Sequence, residues 1–200
     1  MCSSDLLPIW YPALEHEGQD LERFGLSAIT QRPMAMYHSW GSMNAWLRQI
    51  IGANKLYMAR GRGAALGLAQ DDWVWVESRA GRLKCQVSLM EGVNPDTAWT
   101  WNAIGKRAGA WNLDEGSPEA TRGFLLNHVI SEWLPAQGGF RQANADPVTG
   151  QAAWYDLRVS VTKCAPGEEG ITSPHPDAPA LPPHMPSRPD ILRYSTKAKP

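Results

Sequence analysis

Long apolar runs are missing from this 200-residue chain. Its uninterrupted hydrophobic stretches are only a few residues long, too short for a membrane-crossing helix. Cysteine is scarce: Cys2, Cys85 and Cys164 are isolated thiols without a CxxC pair, which argues against a disulfide framework or a cysteine-built zinc site. Their odd number fits a reducing compartment better than secretion. Charge of one sign is lacking too. Nineteen Lys+Arg stand against twenty Asp+Glu, without the cationic surplus that non-specific phosphate contacts need, so no nucleic-acid partner is expected. What the chain has in excess is tryptophan, ten in all, which implies large buried aromatic surfaces or a flat ligand to stack on.

The two ends differ from the middle. Residues 1–6, MCSSDL, read as a non-native leader, because their codons can spell a common sequencing-adapter end. The native sequence is expected from near Leu7, with 7–25 linking to a missing upstream domain. This start lacks the basic and apolar regions of a signal peptide. From Pro166 onward, nine of the sixteen prolines crowd into the last 35 residues. Such a stretch buries too little surface to offset its ordering entropy, so 166–200 reads as a disordered tail. His175 and His184 within it read as solvated side chains.

Between the ends, short strands dominate. Strands are expected at Leu26–Thr30, Lys55–Ala59, Trp73–Ser78, Arg82–Met90, Thr97–Asn102 and Ala153–Lys163. The alternation is clearest where Leu83, Cys85, Val87 and Leu89 face one way and Lys84, Gln86 and Ser88 the other. Cys85 is thereby a small core residue. Ser42 is a candidate cap for a helix through Ile51, with Trp46, Leu47, Ile50 and Ile51 at helical spacing. Ala64–Leu68 reads as a short helical turn. Ser117-Pro118-Glu119 opens a helix expected to run to about Trp133, burying Leu125, Val129 and Trp133. Six strands with two or three helices suggest a small closed barrel of mainly β class.

No catalytic motif accompanies this pattern: GxSxG, HExxH and a Walker A loop are all missing, and no cysteine is paired with a nearby histidine. The informative segment is the polar loop ITQRPMAMYHSWGSMNAW, with Arg32, His38, Ser39, Ser42 and Asn44 between a strand end and a helix start. Backbone donors there, an arginine and hydroxyls suit a phosphorylated ligand; Ser42 as a plain cap and His38 as a surface residue is the alternative. Lys106 and Arg107, between Gly105 and Gly109, form a second basic turn. Asn102, Asn127 and Asn144 each have an amide able to pair with a heterocycle edge, or to serve a turn.

Three segments carry a resemblance. ITQRPMAMYHSWGSMNAWLRQI, AALGLAQDDWVWVESRAGRLKCQVSLMEGVNPDTAW and ANADPVTGQAAWYDLRVSV resemble, in this order, the C-terminal dinucleotide-binding domain of molybdopterin oxidoreductases, the dimethyl-sulfoxide-reductase superfamily. Within it, IGKRAGAW, ATRGFLLNHVISEWLP and DPVTGQAAWYDLRV are most similar to the catalytic subunit of quinone-linked sulfite dehydrogenases, with polysulfide and thiosulfate reductases as near relatives. The resemblance implies a six-stranded double-psi β-barrel over 26–165 that binds molybdenum bis(molybdopterin guanine dinucleotide). By motif position, Thr30, Arg32, His38, Ser39, Ser42, Asn44, Asn127 and Gln151 are the implied cofactor contacts; no residue here is expected to be catalytic or to ligate metal. Gln31 stands where the family has glycine, so the turn's donors are expected to point differently. The chain is longer than usual between Asn127 and Asp146, so Asn144 competes with Asn127.

The resemblance also implies an iron–sulfur cluster in missing N-terminal domains. It further implies an iron–sulfur electron-transfer subunit, a membrane anchor subunit and a cytoplasmic position at the inner membrane face. Turnover then belongs to the metal, with the protein supplying orientation. The competing reading is a stand-alone double-psi barrel that acts as a protein-interaction module.

Overall fold

The structure, a computed structural model, describes residues 13, 16, 19–37, 41, 44–102, 104, 123–130, 143–146, 149–152 and 156–170. Among them, six strands close into one barrel: β1 (Leu26–Gln31), β2 (Leu56–Ala59), β3 (Trp73–Ser78), β4 (Gly81–Met90), β5 (Thr97–Trp101) and β6 (Arg158–Lys163). Around the wall the order is β1-β5-β2-β4-β3-β6, with β6 returning to β1. Two neighbours, β1/β5 and β2/β4, run parallel, and the rest run antiparallel. This is the double-psi barrel expected above. Strand directions put the carboxyl ends of β1, β3 and β5 at one mouth, with the amino ends of β2, β4 and β6.

Alternation built the wall. Leu26 and Ala28, Leu56 and Met58, Val74 and Val76, Leu83, Cys85 and Val87, Ala98, and Val159 and Val161 all point inward and are buried. Phe124, Leu126 and Val129 join the same core from outside the sheet. Burial pushes the Cys85 thiol far up from its ordinary value, so it sits in the core as an un-ionised, unreactive group. The tryptophans of the strands take the opposite face. Trp99 stacks on Tyr57 with ring centres 4.1 Å apart, Trp101 meets Trp99 edge-on at 4.6 Å, and Trp75 lies under the guanidinium of Arg82 at 4.3 Å.

Two short helices interrupt the strands: α1 (Ala45–Ile50) and α2 (Arg60–Ala65). Helix α2 lies so close to β4 that a side chain at Gly63 would run into Leu89. It ends where Gly67 adopts φ +70°, and the amides of Gly67 and Leu68 bond back to the carbonyls of Ala64 and Gly63.

Two helix expectations need correction. The cap of α1 is Asn44, not Ser42, and of the apolar residues at helical spacing Trp46 and Ile50 are exposed. Residues 123–130 do not continue an α-helix from Ser117. They are extended up to Leu125, form one 3-10 turn over Leu126–Val129, and leave it extended at Ile130. The reason is that the Phe124 and Val129 carbonyls accept bonds from side chains elsewhere in the fold. At the other end, the Glu168 carboxylate accepts from Trp75 Nε1 and from the Ala165 amide. Glu168 is thereby tied to the barrel, while residues 166–169 stay exposed.

Candidate functional site

The loop leaving β1 begins with a buried residue and turns at once to an exposed one. Thr30 faces the barrel interior at 7% exposure, beside Thr100 in the β1/β5 register. Two residues on, Arg32 is exposed, its guanidinium 5.5 Å from the centre of the Tyr37 ring. Met34 between them is fully exposed. Arg32, Met34, Ala35, Met36 and Tyr37 line an open pocket of about 760 Å³. A delocalised cation, a phenol face and a thioether are a donor set suited to a flat or phosphorylated ligand. His38, Ser39 and Ser42, the next expected contacts, lie outside the described residues, as does the basic turn at 105–109.

Asn44 follows as the cap of α1: its Oδ1 accepts from the Trp46 and Leu47 amides at 2.9 and 3.4 Å. That leaves only its Nδ2 to offer a ligand. α1 itself buries no residue. Trp46, at 77% exposure, stands out from it into solvent, and Ile50 does likewise. An exposed apolar face on so short a helix suits contact with something outside this domain.

The mouth is drawn together by a residue the sequence reading passed over. Asn54, just before β2, is 4% exposed. Its Nδ2 donates to the carbonyls of Trp101, Ile104 and Phe124 at 2.8, 3.0 and 3.2 Å. Its Oδ1 accepts from Thr100 Oγ1 at 2.8 Å and from the Trp101 amide at 3.1 Å. Alongside, the Asn102 amide donates to the Gln31 carbonyl at 2.8 Å. The exits of β1 and β5, the approach to β2 and the segment before Asn127 thus form one connected polar lattice. Its use of backbone carbonyls leaves no residue-type pattern; the only signal was a lone asparagine at a strand start.

Asn127 stands exposed on the 126–129 turn, whereas its competitor Asn144 is buried at 8% exposure. Gln151 is exposed on a small hairpin, bridged at Ala145 and Ala152 and closed by Asp146, whose carboxylate accepts from Thr149 N and Oγ1. Thr30, Arg32 and, through Asn54, the segment carrying Asn127 gather at one mouth. Asn44 reaches the pocket through Gly41, whose carbonyl accepts from the Asn44 backbone amide at 3.0 Å and where a Cβ would sit 3.2 Å from Met36. No cluster of three His, Cys, Asp or Glu side chains suited to a metal ion occurs among the described residues, and no described helix is long and apolar enough to cross a membrane.

Comparison with known proteins agrees with this architecture. A sulfite dehydrogenase subunit of Allochromatium vinosum is 56% identical over 171 residues, 85% of this chain and 18% of that protein. Dopamine dehydroxylase of Eggerthella lenta is 22% identical over 166 residues, 80% of this chain and 14% of its own length. The chain thus spans under a fifth of the curated relatives it matches. Among solved structures, acetylene hydratase from Pelobacter acetylenicus shares the fold with a TM-score of 0.58 at 18% identity, over 79% of this chain and 21% of that one. Residues 26–140 match the family described as "Molydopterin dinucleotide binding domain". That match covers more than half of the chain and takes in the polar mouth, and the chain belongs to the molybdopterin dinucleotide binding domain family.

Proposed function

We propose that this chain binds and orients molybdenum bis(molybdopterin guanine dinucleotide) as the C-terminal part of a molybdenum oxidoreductase catalytic subunit that oxidises sulfite. The observation that carries the cofactor reading is the mouth, where Arg32, Tyr37 and Met34 stand exposed around one pocket at the exit of β1. Sulfite is favoured over polysulfide or thiosulfate by the 56% identity with a sulfite dehydrogenase subunit.

The residues present fit the group. Arg32 supplies a fixed positive charge with fork geometry for a pyrophosphate. Tyr37 and Met34 supply apolar surface for a planar ring. Asn127 offers both a donor and an acceptor to a heterocycle edge. Thr30, facing inward, holds the end of β1 in place beneath the loop. The bound cofactor supplies two-electron chemistry at its metal, and this domain contributes orientation and electrostatics. The same reading puts the iron–sulfur cluster in domains upstream of this one, with an iron–sulfur electron-transfer subunit and a membrane anchor as partners. It locates the assembly at the cytoplasmic face of the inner membrane. Those parts rest on the resemblance alone.

The test is cofactor content in the complete catalytic subunit carrying Arg32→Ala. Molybdenum and acid-released guanine nucleotide per polypeptide are expected to fall, with the circular-dichroism spectrum unchanged. Full occupancy in a folded variant would overturn the assignment of the mouth.

A further inference from the structure

The one-turn segment bearing Asn127 is gripped at both ends by side chains from distant parts of the barrel. Where the chain enters the turn, Asn54 Nδ2 donates to the Phe124 carbonyl at 3.2 Å while the same side chain holds the Trp101 and Ile104 carbonyls. Where it leaves, Ser78, itself 4% exposed at the end of β3, donates from Oγ to the Val129 carbonyl at 2.5 Å. Ser78 Oγ also accepts from the Ala80 amide at 3.0 Å, which fixes its hydroxyl toward the turn. The β3–β4 hairpin closes the arrangement: a Cβ at Gly81 would sit 3.3 Å from the His128 carbonyl, so the hairpin backbone lies directly against the turn.

Burial alone would not do this. Phe124, Leu126 and Val129 anchor the segment in the core, but apolar burial has no preferred direction. A single 3-10 turn also has poor hydrogen-bond geometry of its own and little persistence. Hydrogen bonds to a carbonyl at each end are directional, so together they set the rotation of the turn about its length. That rotation decides which side chain faces out. As set, Leu126 and Val129 are buried and Asn127 is exposed.

We infer that Asn54 and Ser78 are positioning residues: they clamp the 126–129 turn so that the Asn127 amide is presented, already oriented, to the heterocycle of the bound dinucleotide. This rests on the cofactor reading above and deepens it. A ligand-contacting amide on a loose turn would have to be ordered at the moment of binding, and the clamp removes that cost in advance.

The experiment uses the complete catalytic subunit, purified with its cofactor, and follows the loss of guanine nucleotide on dilution. Ser78→Ala and Asn54→Ala are expected to speed that loss about tenfold, the order seen when an outer partner that orients a contacting group is removed. Ser78→Thr, which keeps the hydroxyl, is expected to restore retention. Hydrogen exchange is expected to rise over 123–130 in Ser78→Ala and to stay slow in β3, β4 and β6. Asn54→Ala removes five hydrogen bonds; if it does not fold, the Ser78→Ala and Ser78→Thr pair decides the matter. Each change is also placed on Asn127→Ala. No further loss there shows that the clamp works through Asn127, whereas a full additional loss would overturn it, as would normal retention in folded Ser78→Ala. Should Asn127→Ala keep its nucleotide while Arg32→Ala loses it, the cofactor reading stands and the positioning role falls. Should both keep it, the reading falls and takes the clamp with it.

Discussion

The barrel wall and the excursion between β1 and β2 are built on opposite plans. In the wall, every strand buries alternate residues, and Leu56, Met58, Val74, Val76, Leu83 and Val87 are fully enclosed. In the excursion, Met34, Tyr37, Trp46 and Ile50 face outward, and α1 buries nothing at all. The wall is thus held by its own apolar surface. The excursion is held by one buried side chain, Met36, by a cap, by the ring contact of Arg32 with Tyr37 and by its two ends. A segment that leaves Met34, Tyr37, Trp46 and Ile50 on the outside suits contacts beyond the wall.

The sharpest way to break that contrast is a cavity in the wall. Leu56→Ala removes a side chain with no exposed surface from the centre of the core. It is expected to cost about 2–5 kcal/mol, read as faster native-state hydrogen exchange in all six strands, with the loop affected only as a consequence. An effect confined to β2 would mean that the wall does not unfold as a unit.

Acid probes the wall more gently. The Ala69 amide and the Lys163 ammonium hold the Asp72 carboxyl below its ordinary value. A depressed folded-state value means that the contribution to stability is complete at neutral pH. It is lost as the pH drops below the usual carboxylate range, because the unfolded chain takes up the proton first. Asp72→Asn should flatten that acid limb of the stability curve by lowering stability at pH 7, with the stability at low pH nearly unchanged.

The smallest effect on stability, and the one that sharpens the contrast most, is expected from Trp46→Ala. An exposed side chain on a helix with no buried face should change the unfolding free energy by less than about 0.5 kcal/mol. Cofactor retention in the complete subunit, or its association with neighbouring domains, is expected to fall all the same. A large loss of stability would show that Trp46 supports the barrel after all.

How far the sequence carried differs between these regions for a physical reason. Strands announce themselves locally: LKCQVSL alternates because one face of a wall is inside, and β4 follows that pattern to the residue at its carboxyl end. The exit of β1, with Arg32 directly beyond it, was legible from the same rule. Helix reading fared worse. Ser42 and Asn44 are both good capping types two residues apart, and only the fold chooses between them. Ser117-Pro118-Glu119 is a sound helix start. Nothing local shows that Asn54 and Ser78 will take the carbonyls of Phe124 and Val129, residues 70 and 51 positions away from them. Contacts from a side chain to a distant carbonyl leave no periodicity behind.

The pairing of Leu26 with Val159, across most of the described chain, sets an order of events during synthesis. Until β6 leaves the ribosome, β1 and β3 are free edges with open backbone donors and acceptors, able to pair with other chains. Closure that depends on so distant a partner is slow, because the loop must be brought together before any contact rewards it. Among the described strands, the last one made is the one that turns an open sheet into a barrel. A message cut short before Arg158 therefore leaves a sheet with two sticky borders in place of a finished domain.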